Sequence, residues 1–571
     1  MSVSEIRSPV EAETRPPSGR RGALVLYAVF TFLAFPHELP FAGGLGGVES
    51  VDLGFFFVWL APAALVIGID GLAPRRAARA AFWASLFGYT VFFYWFTVVT
   101  VQYGGMPLIL GVLSPIVPAL FVSVFMALFA WAWVRISSRS VVAIAVGAAL
   151  WVAVDWTRGH FLGGFPWATL GYALHLDLPL MVWTRWAGVY GLSFVAAAVG
   201  LAIAHAWLER GALAYRRLAL VLGFVFALHA IGLGVMAEDA SDPERRRVRV
   251  AAIQGNIDQG EKWEADRRAR ILGTYLRLSE EAAGGDEALE WIVWPETAVP
   301  GLIENDPGLR SRLALLARRY DVSLVVGGMG VSIDEEGRRF SAFFDSAFQF
   351  DPDGEVRDRY DKTHLVPFGE FVPLRGLLGH FFQSLARGLS STDVTAGSAV
   401  RNLELVAPGA GLGRISVGVP ICYELLFPHL VRQFAGQGAR ILLAITNDAW
   451  YGRTGAPHQF LAMTAIRAAE NGLPTLRAAN TGISALIDGR GRVVSASSLF
   501  EEAIVLGDVA MPAENSGATF YARYGDVFAW SCMVVAIGML LRSWIEERRC
   551  GPRNSHANTF SQSHEKGRRA R

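Results

Sequence analysis

The sequence predicts a multi-span α-helical membrane domain joined to an α/β domain outside the cytoplasm. Three observations predict it. Apolar runs long enough for a bilayer recur before residue 240 and once more after 525. The stretch between them, from about 240 to 515, has ordinary charge density. Within it, short β-branched and aromatic runs alternate with helical periodicities. Composition agrees, since 52% of the 571 residues are hydrophobic, with 17 Trp and 36 Phe, more than a soluble globule carries.

The apolar windows lie near 22–36, 53–70, 81–101, 107–134, 140–156, 186–208, 217–236 and 526–542. They set the expected organisation: an N-terminus at 1–21, a membrane domain of about seven helices at 22–237, a soluble domain at 247–515, a last span at 526–543 and a polar disordered tail at 544–571. The first run is short and ends at Pro36; no A-x-A-like site follows it, so it is not expected to be a cleaved leader. Positive residues sort by alternate loops. Arg7, Arg15, Arg20 and Arg21 precede the first span, Arg75, Arg76 and Arg79 follow the second, Arg135 and Arg139 the fourth, and Arg210, Arg216 and Arg217 the sixth. The positive-inside rule then makes both termini cytoplasmic and places the soluble domain outside. The net charge of +1, without a basic stripe, excludes a nucleic-acid partner.

The strands expected in the soluble domain are 247–254, 291–294, 323–330, 341–350, 415–422, 441–446 and a pair within 475–497. Helices are expected at 262–283, 307–320, 424–436 and 457–472. DPDG and DGRG mark hairpins. The result is an α/β sandwich with a mixed sheet.

Of three cysteines, Cys532 falls in the last span and Cys550 in the tail, so Cys422 stands alone in the outer domain. A lone thiol there is either sealed in a core or kept for reactivity. Cys422 ends a strand and precedes a helical pattern, a junction whose N–H groups and helix dipole lower a thiol pKa and supply an oxyanion hole. Glu296, in WPET, also ends a strand. Lys362 and Glu370 lie in RDRYDKTHLVPFGE, where each alone reads as a solvated charge. Together, a thiol, a carboxylate base and an ammonium are what acyl transfer needs. No His/Cys cluster at metal-ligand spacing is present, and no metal or other cofactor is expected.

Gln254-Gly255-Asn256, WPET around Glu296, YDKTHLVPFGEFVP around Lys362, ICYE around Cys422 and TNDAWYG from Thr446 resemble the carbon–nitrogen hydrolase (nitrilase) superfamily. HLVPFGEFVP and the seven-plus-one span pattern resemble its apolipoprotein N-acyltransferase branch. The resemblance implies an α-β-β-α sandwich on the periplasmic side of the inner membrane and a catalytic set of Glu296, Lys362 and Cys422. Cys422 would take the sn-1 acyl chain of a phospholipid as a thioester. The N-terminal amine of a diacylglyceryl-cysteine apolipoprotein would then receive it.

The implied roles have physical content. Glu296 would accept and return the proton, which calls for a raised carboxylate pKa. Lys362, with a backbone N–H near Cys422 or Tyr423, would stabilise the oxyanion. Glu370, Tyr423, Glu424 and Asn447 match supporting positions, and Trp263 and Trp450 match positions near the pocket, with packing an equal alternative for the two Trp. The segment 374–389 sets Phe381 and Phe382 on one apolar face, a lid that dips into the outer leaflet or a core helix. The 163–180 loop, with Trp167 and Tyr172, is a further candidate contact, and anchoring at the interface is the preferred reading. The expected partners are the phospholipid donor, the lipoprotein acceptor and the bilayer, with the enzyme a monomer. A membrane-tethered amidase acting on a small amide through the same thioester is the alternative, and the acyl group's fate distinguishes them.

Overall fold

In hydrocarbon a backbone must satisfy its own N–H and C=O groups, and all eight apolar runs fold as helix. The computed structural model describes residues 17–38, 50–136, 138–239, 246–262, 264, 266–334, 340–371, 394–409, 411, 413–512 and 517–549. Among the described residues five helices are long and apolar enough to cross a membrane: Leu108–Ile136, Val141–Arg158, Val189–Glu209, Ala212–Ala237 and Val527–Arg549. A sixth crossing forms if Pro74–Phe92 and 96–103, bent by 61° at their junction, act as one. The first two runs give shorter helices, Pro17–Leu33 and a piece interrupted at Val58 and Trp59. Val141–Arg158 and Val189–Glu209 are mostly buried and form the centre of the bundle, whereas 212–237 and Val527–Arg549 present most of their surface outward. Apolar side chains facing outward are what lipid requires.

Among its described residues the soluble domain contains two six-stranded sheets. Its strands are β1 Arg247–Gln254, β2 Trp291–Val293, β3 Ser323–Ile333, β4 Phe340–Phe350, β5 Val356–Asp361, β6 Leu403–Val406, β7 Arg414–Gly418, β8 Ile441–Thr446, β9 Thr475–Ala479, β10 Ala485–Ile487, β11 Val493–Ala496 and β12 Ala503–Ala510. One sheet runs β12-β1-β2-β3-β4-β5 and the other β11-β10-β9-β8-β7-β6. Each is parallel at its centre and antiparallel at its margins. β5, β6 and β12 lie outside the expected strands. The expected strand 415–422 stops at Gly418, because Pro420 has no N–H to give a ladder.

Period-two patterning explains the layering. In the first sheet, Ala251, Ile253, Ile292, Leu324 and Val326 share a core with helices Arg268–Ala283 and Pro307–Tyr320. Val248, Val250, Ala252, Trp291, Val293 and Val325 turn the other way and join the core of the second sheet. Helices Pro428–Gly436 and Gly455–Asn471 cover that sheet's far side. The α-β-β-α sandwich is therefore observed.

Helix Gly455–Asn471 couples the two halves of the protein. The Thr454 side chain caps its start and Gly472, in the left-handed region, ends it. It is buried nearly all round, the signature of a helix with packing on every side. Toward the membrane half, its Gln459 amide donates to the Pro36 carbonyl (3.1 Å) and accepts from the Trp167 indole (2.8 Å). Arg467 donates to the Tyr172 hydroxyl (3.1 Å). Glu470 accepts from the Val189 N–H (2.7 Å) at the first residue of a central helix. Trp167 and Tyr172 are thus buried between the halves and do not anchor at the lipid interface.

Candidate active site

Cys422 sits on a turn rather than on a strand. After β7 the chain passes Pro420, Ile421 makes a parallel bridge to Ile445 of β8, and Cys422 opens a short 3-10 turn, Cys422–Leu426. Cys422 holds φ 46° and Thr297, beside Glu296, holds φ 45°. Asn256 and Phe368, in two further motif loops, are left-handed as well. Non-glycine residues in that region carry strain that the surrounding fold must hold, and such strain gathers at functional sites.

Glu424 fixes the turn. Its Oε2 accepts from the Ile421 N–H (2.8 Å). Its Oε1 accepts from the Thr363 N–H (2.7 Å), the Thr363 hydroxyl (2.8 Å) and the Tyr360 hydroxyl (2.8 Å). One buried carboxylate thus ties the cysteine turn of the second sheet to the Lys362 loop of the first.

Lys362 follows β5 and continues its ladder through a bond from its N–H to the Asp345 carbonyl (2.9 Å). Its side chain is fully buried, and its Nζ lies 2.9 Å from Glu296 Oε1, 3.3 Å from Asp345 Oδ2 and 2.5 Å from Glu370 Oε1. Glu296 comes from the turn after β2. That turn lies flat against Gly327 of β3, where any Cβ would strike the Pro295 carbonyl; glycine alone permits the approach. Glu370 Oε2 also accepts from the Val366 N–H (2.9 Å), closing its own loop. A second buried ammonium, Lys262, donates to the Glu296 carbonyl (3.2 Å) and the Thr297 hydroxyl (2.6 Å).

The electrostatics reverse two expectations. Burial pushes the Cys422 thiol well above its usual range, the Glu296 charge adds to this and the Lys362 ammonium opposes it. The short 3-10 turn after Cys422 does not provide the long helix dipole that would lower the thiol. Burial also acts to raise Glu296, but Lys362 and hydrogen bonds from Asp345 and Lys362 outweigh it and hold the carboxyl below its usual range. The raised acids are its neighbours Asp345 and Glu370, both chiefly through burial. Burial opposes the Lys362 charge, and Glu296, Glu370 and Asp345 together overcome it, so the ammonium is strongly favoured. Burial lowers Lys262 to about 8.

The structure brings Glu296, Lys362, Glu370, Cys422, Tyr423 and Glu424 together. Tyr423 is buried with its ring against Phe427 and His364. Asn447 is scaffolding: its amide donates to Gln259 (2.7 Å) and accepts from Asn480 (3.1 Å). Trp450 stacks edge-on against Tyr103 of the bent membrane helix at 5.4 Å, a contact between the halves. Trp263, Phe381 and Phe382 lie outside the described residues. Sequence reading missed Asp345 and Lys262. A signal existed for Asp345, a single carboxylate within the apolar strand FFDSAFQF; Lys262, within EKWEAD, looks like surface charge.

Two family models match the chain: "Apolipoprotein N-acyltransferase N-terminal domain" over residues 28–202 and "Carbon-nitrogen hydrolase" over 249–516. The apolipoprotein N-acyltransferase of Geobacter metallireducens is 37% identical over 486 residues, covering 84% of this chain and 89% of its own. The chain belongs to the apolipoprotein N-acyltransferase family. Further members align over similar spans: that of Azotobacter vinelandii is 35% identical over 86% of this chain and 90% of its own, and that of Vibrio vulnificus 29% over 89% and 97%. Among solved structures, an amidase from Nesterenkonia sp. aligns at 19% identity over 47% of this chain and 92% of its own, with a TM-score of 0.34. Family membership fits both halves, the apolar helices and the sandwich.

Proposed function

We propose that this membrane protein is the N-acyltransferase of lipoprotein maturation and that it works through a Cys422 thioester. In the first step Glu296 takes the thiol proton, and Cys422 attacks the sn-1 ester carbonyl of a phospholipid. The Lys362 ammonium and a main-chain N–H of the Cys422 turn stabilise the oxyanion, each such donor being worth about 3–4 kcal/mol in acyl transfer. Glu296 returns the proton to the departing lysolipid alkoxide. In the second step it takes a proton from the diacylglyceryl-cysteine amine, which attacks the thioester; the C–S bond breaks, Glu296 passes the proton to the departing Cys422 sulfur, and the triacylated product is released. Because burial holds the thiol neutral, proton transfer to an ionised base during attack suits this site better than a resting thiolate.

The observation that carries the reading is the buried Lys362 ammonium held by Glu296 and Glu370, with both the Glu296 and Lys362 charges acting on the Cys422 thiol. Its place on a sandwich docked to apolar helices suits substrates held in lipid, since exposing a chain to water costs ~0.8 kcal/mol per CH₂. The arginine distribution supports a periplasmic sandwich and cytoplasmic termini. Two further positions belong to the reading: the Phe381 and Phe382 segment as a lipid-admitting lid, and a monomeric enzyme.

The test is incubation of the purified protein in detergent with a phospholipid labelled in its sn-1 chain and a diacylated lipopeptide. Mass spectrometry should find the acyl chain on Cys422 and then on the lipopeptide amine. A Cys422→Ala variant that still made triacylated product would defeat the proposal. Release of the chain only as free acid would favour an amidase-like hydrolase.

A further inference from the structure

The cluster around Lys362 holds one more carboxyl than these two steps use. Asp345 lies on β4 with its Oδ2 3.3 Å from Lys362 Nζ, while its Oδ1 is buried and accepts from no donor among the described residues. An ionised oxygen buried without a donor is costly, whereas a protonated one becomes a donor and needs only an acceptor. The groups that face it are carboxylates, because Glu296, Asp345 and Glu370 each bring an oxygen to within 4.8 Å of the others. Charge points the same way. The buried ammoniums of Lys362 and Lys262 balance two carboxylates, and a third ionised one would leave negative charge beside a thiol that has to lose its proton.

We infer that Asp345 is a positioning residue that keeps a proton on Oδ1 and donates it as a hydrogen bond to the Glu296 carboxylate, orienting Glu296 and keeping it ionised as the base. The proton stays on Asp345 throughout, and no bond to it is made or broken. Lys362 faces Asp345 from the end of β5, Glu296 from the turn after β2, Glu370 from the 366–371 loop and Lys262 from the loop after β1. The directions of titration agree: burial first and Glu296 second push Asp345 up, and Glu296 is held down. The inference rests on Glu296, Lys362 and Cys422 being the reacting set.

Asp345→Asn keeps a neutral group with a donor for Glu296 and an acceptor for Lys362; Asp345→Ala has neither. With the full-length protein in detergent and the sn-1-labelled phospholipid, Asp345→Asn should form the acyl-enzyme within about threefold of the wild-type rate, and Asp345→Ala should be at least about tenfold slower. The infrared difference between wild type and Asp345→Asn should contain the C=O stretch of a protonated carboxyl. Asn falling as far as Ala, or a difference spectrum without that band, would overturn the inference. Should Asp345→Ala not fold, the Asn rate and the infrared band decide between the same two outcomes. Failure here with Cys422→Ala inactive would remove only the Asp345 assignment. Product from Cys422→Ala would remove the thioester reading itself.

Discussion

Replacing Glu424 with Ala tests whether the site is held as one piece across the two sheets. Its carboxyl is fully buried and bonds to the Ile421 N–H at 2.8 Å, the Thr363 N–H at 2.7 Å and two hydroxyls. A buried N–H left without an acceptor costs ~1–3 kcal/mol, so the two backbone groups alone put the loss at ~2–6 kcal/mol. Glu424→Gln keeps one oxygen and turns an amide N–H₂ toward one side, so its loss should be about half as large. Catalysis should fall further than stability accounts for. Ile421 precedes Cys422 and Thr363 follows Lys362, and if these are the reacting groups proposed above, a displacement of about 1 Å between them costs on the order of 100-fold. Thermal unfolding in detergent, with the acyl-enzyme formation rate measured well below Tm, separates the two effects. An Ala variant with wild-type Tm and wild-type rate would refute the clamp, and loss of stability with an unchanged rate would refute its role in alignment.

Two further outcomes follow from buried charges. Because burial lowers Lys262 to about 8 from an ordinary 10.5, the folded state binds fewer protons than the unfolded state between those values; the Lys262 contribution to stability therefore rises with pH across the window. Relative to Lys262→Met, wild type should gain at most ~3 kcal/mol from pH 8 to 10.5, and parallel unfolding curves would contradict this. Arg477 donates from Nη2 to Asp448 Oδ2 at 2.5 Å with both groups fully buried. Arg477→Ala should cost ~3–5 kcal/mol by leaving Asp448 unpaired, read as a lower Tm; unchanged stability would show that the pair is not needed.

The fold was largely legible because its signals are local. Helix 307–320 matches Pro307–Tyr320 throughout, set by the Asp306 cap and the proline in its first turn. Strand 441–446 is apolar up to Thr446 and buried at every position, as a strand covered on both faces is. Of the strands that escaped notice, β5 (VRDRYD) is mostly charged and β6 (LELV) only four residues long, although both pair with strands nearby in sequence; β12 has a distant partner. β12 pairs with β1 across some 250 residues, and its Gly507 and Asp508 break any alternation. In the site, residue types and motif spacing pointed to Glu296, Lys362 and Cys422. They did not reveal how burial divides the charge among neighbours, because Asp345 and Lys262 reach the cluster from a strand and a loop with no motif between them. Trp167 and Tyr172 misled for a related reason. Amphipathic rings suit a lipid interface and a protein interface equally, and only the packing of helix Gly455–Asn471 decides between them.

That helix also bears on where the enzyme becomes complete. Cut away from the apolar bundle, the sandwich would face water with Arg467 deprived of the Tyr172 hydroxyl, Glu470 of the Val189 amide and Phe460 of the Trp167 ring. Association with solvent-exposed partners or collapse is the physical fate of such a surface. The sandwich is thus finished by the bundle it packs against, so the two halves form one folding unit rather than a domain on an anchor.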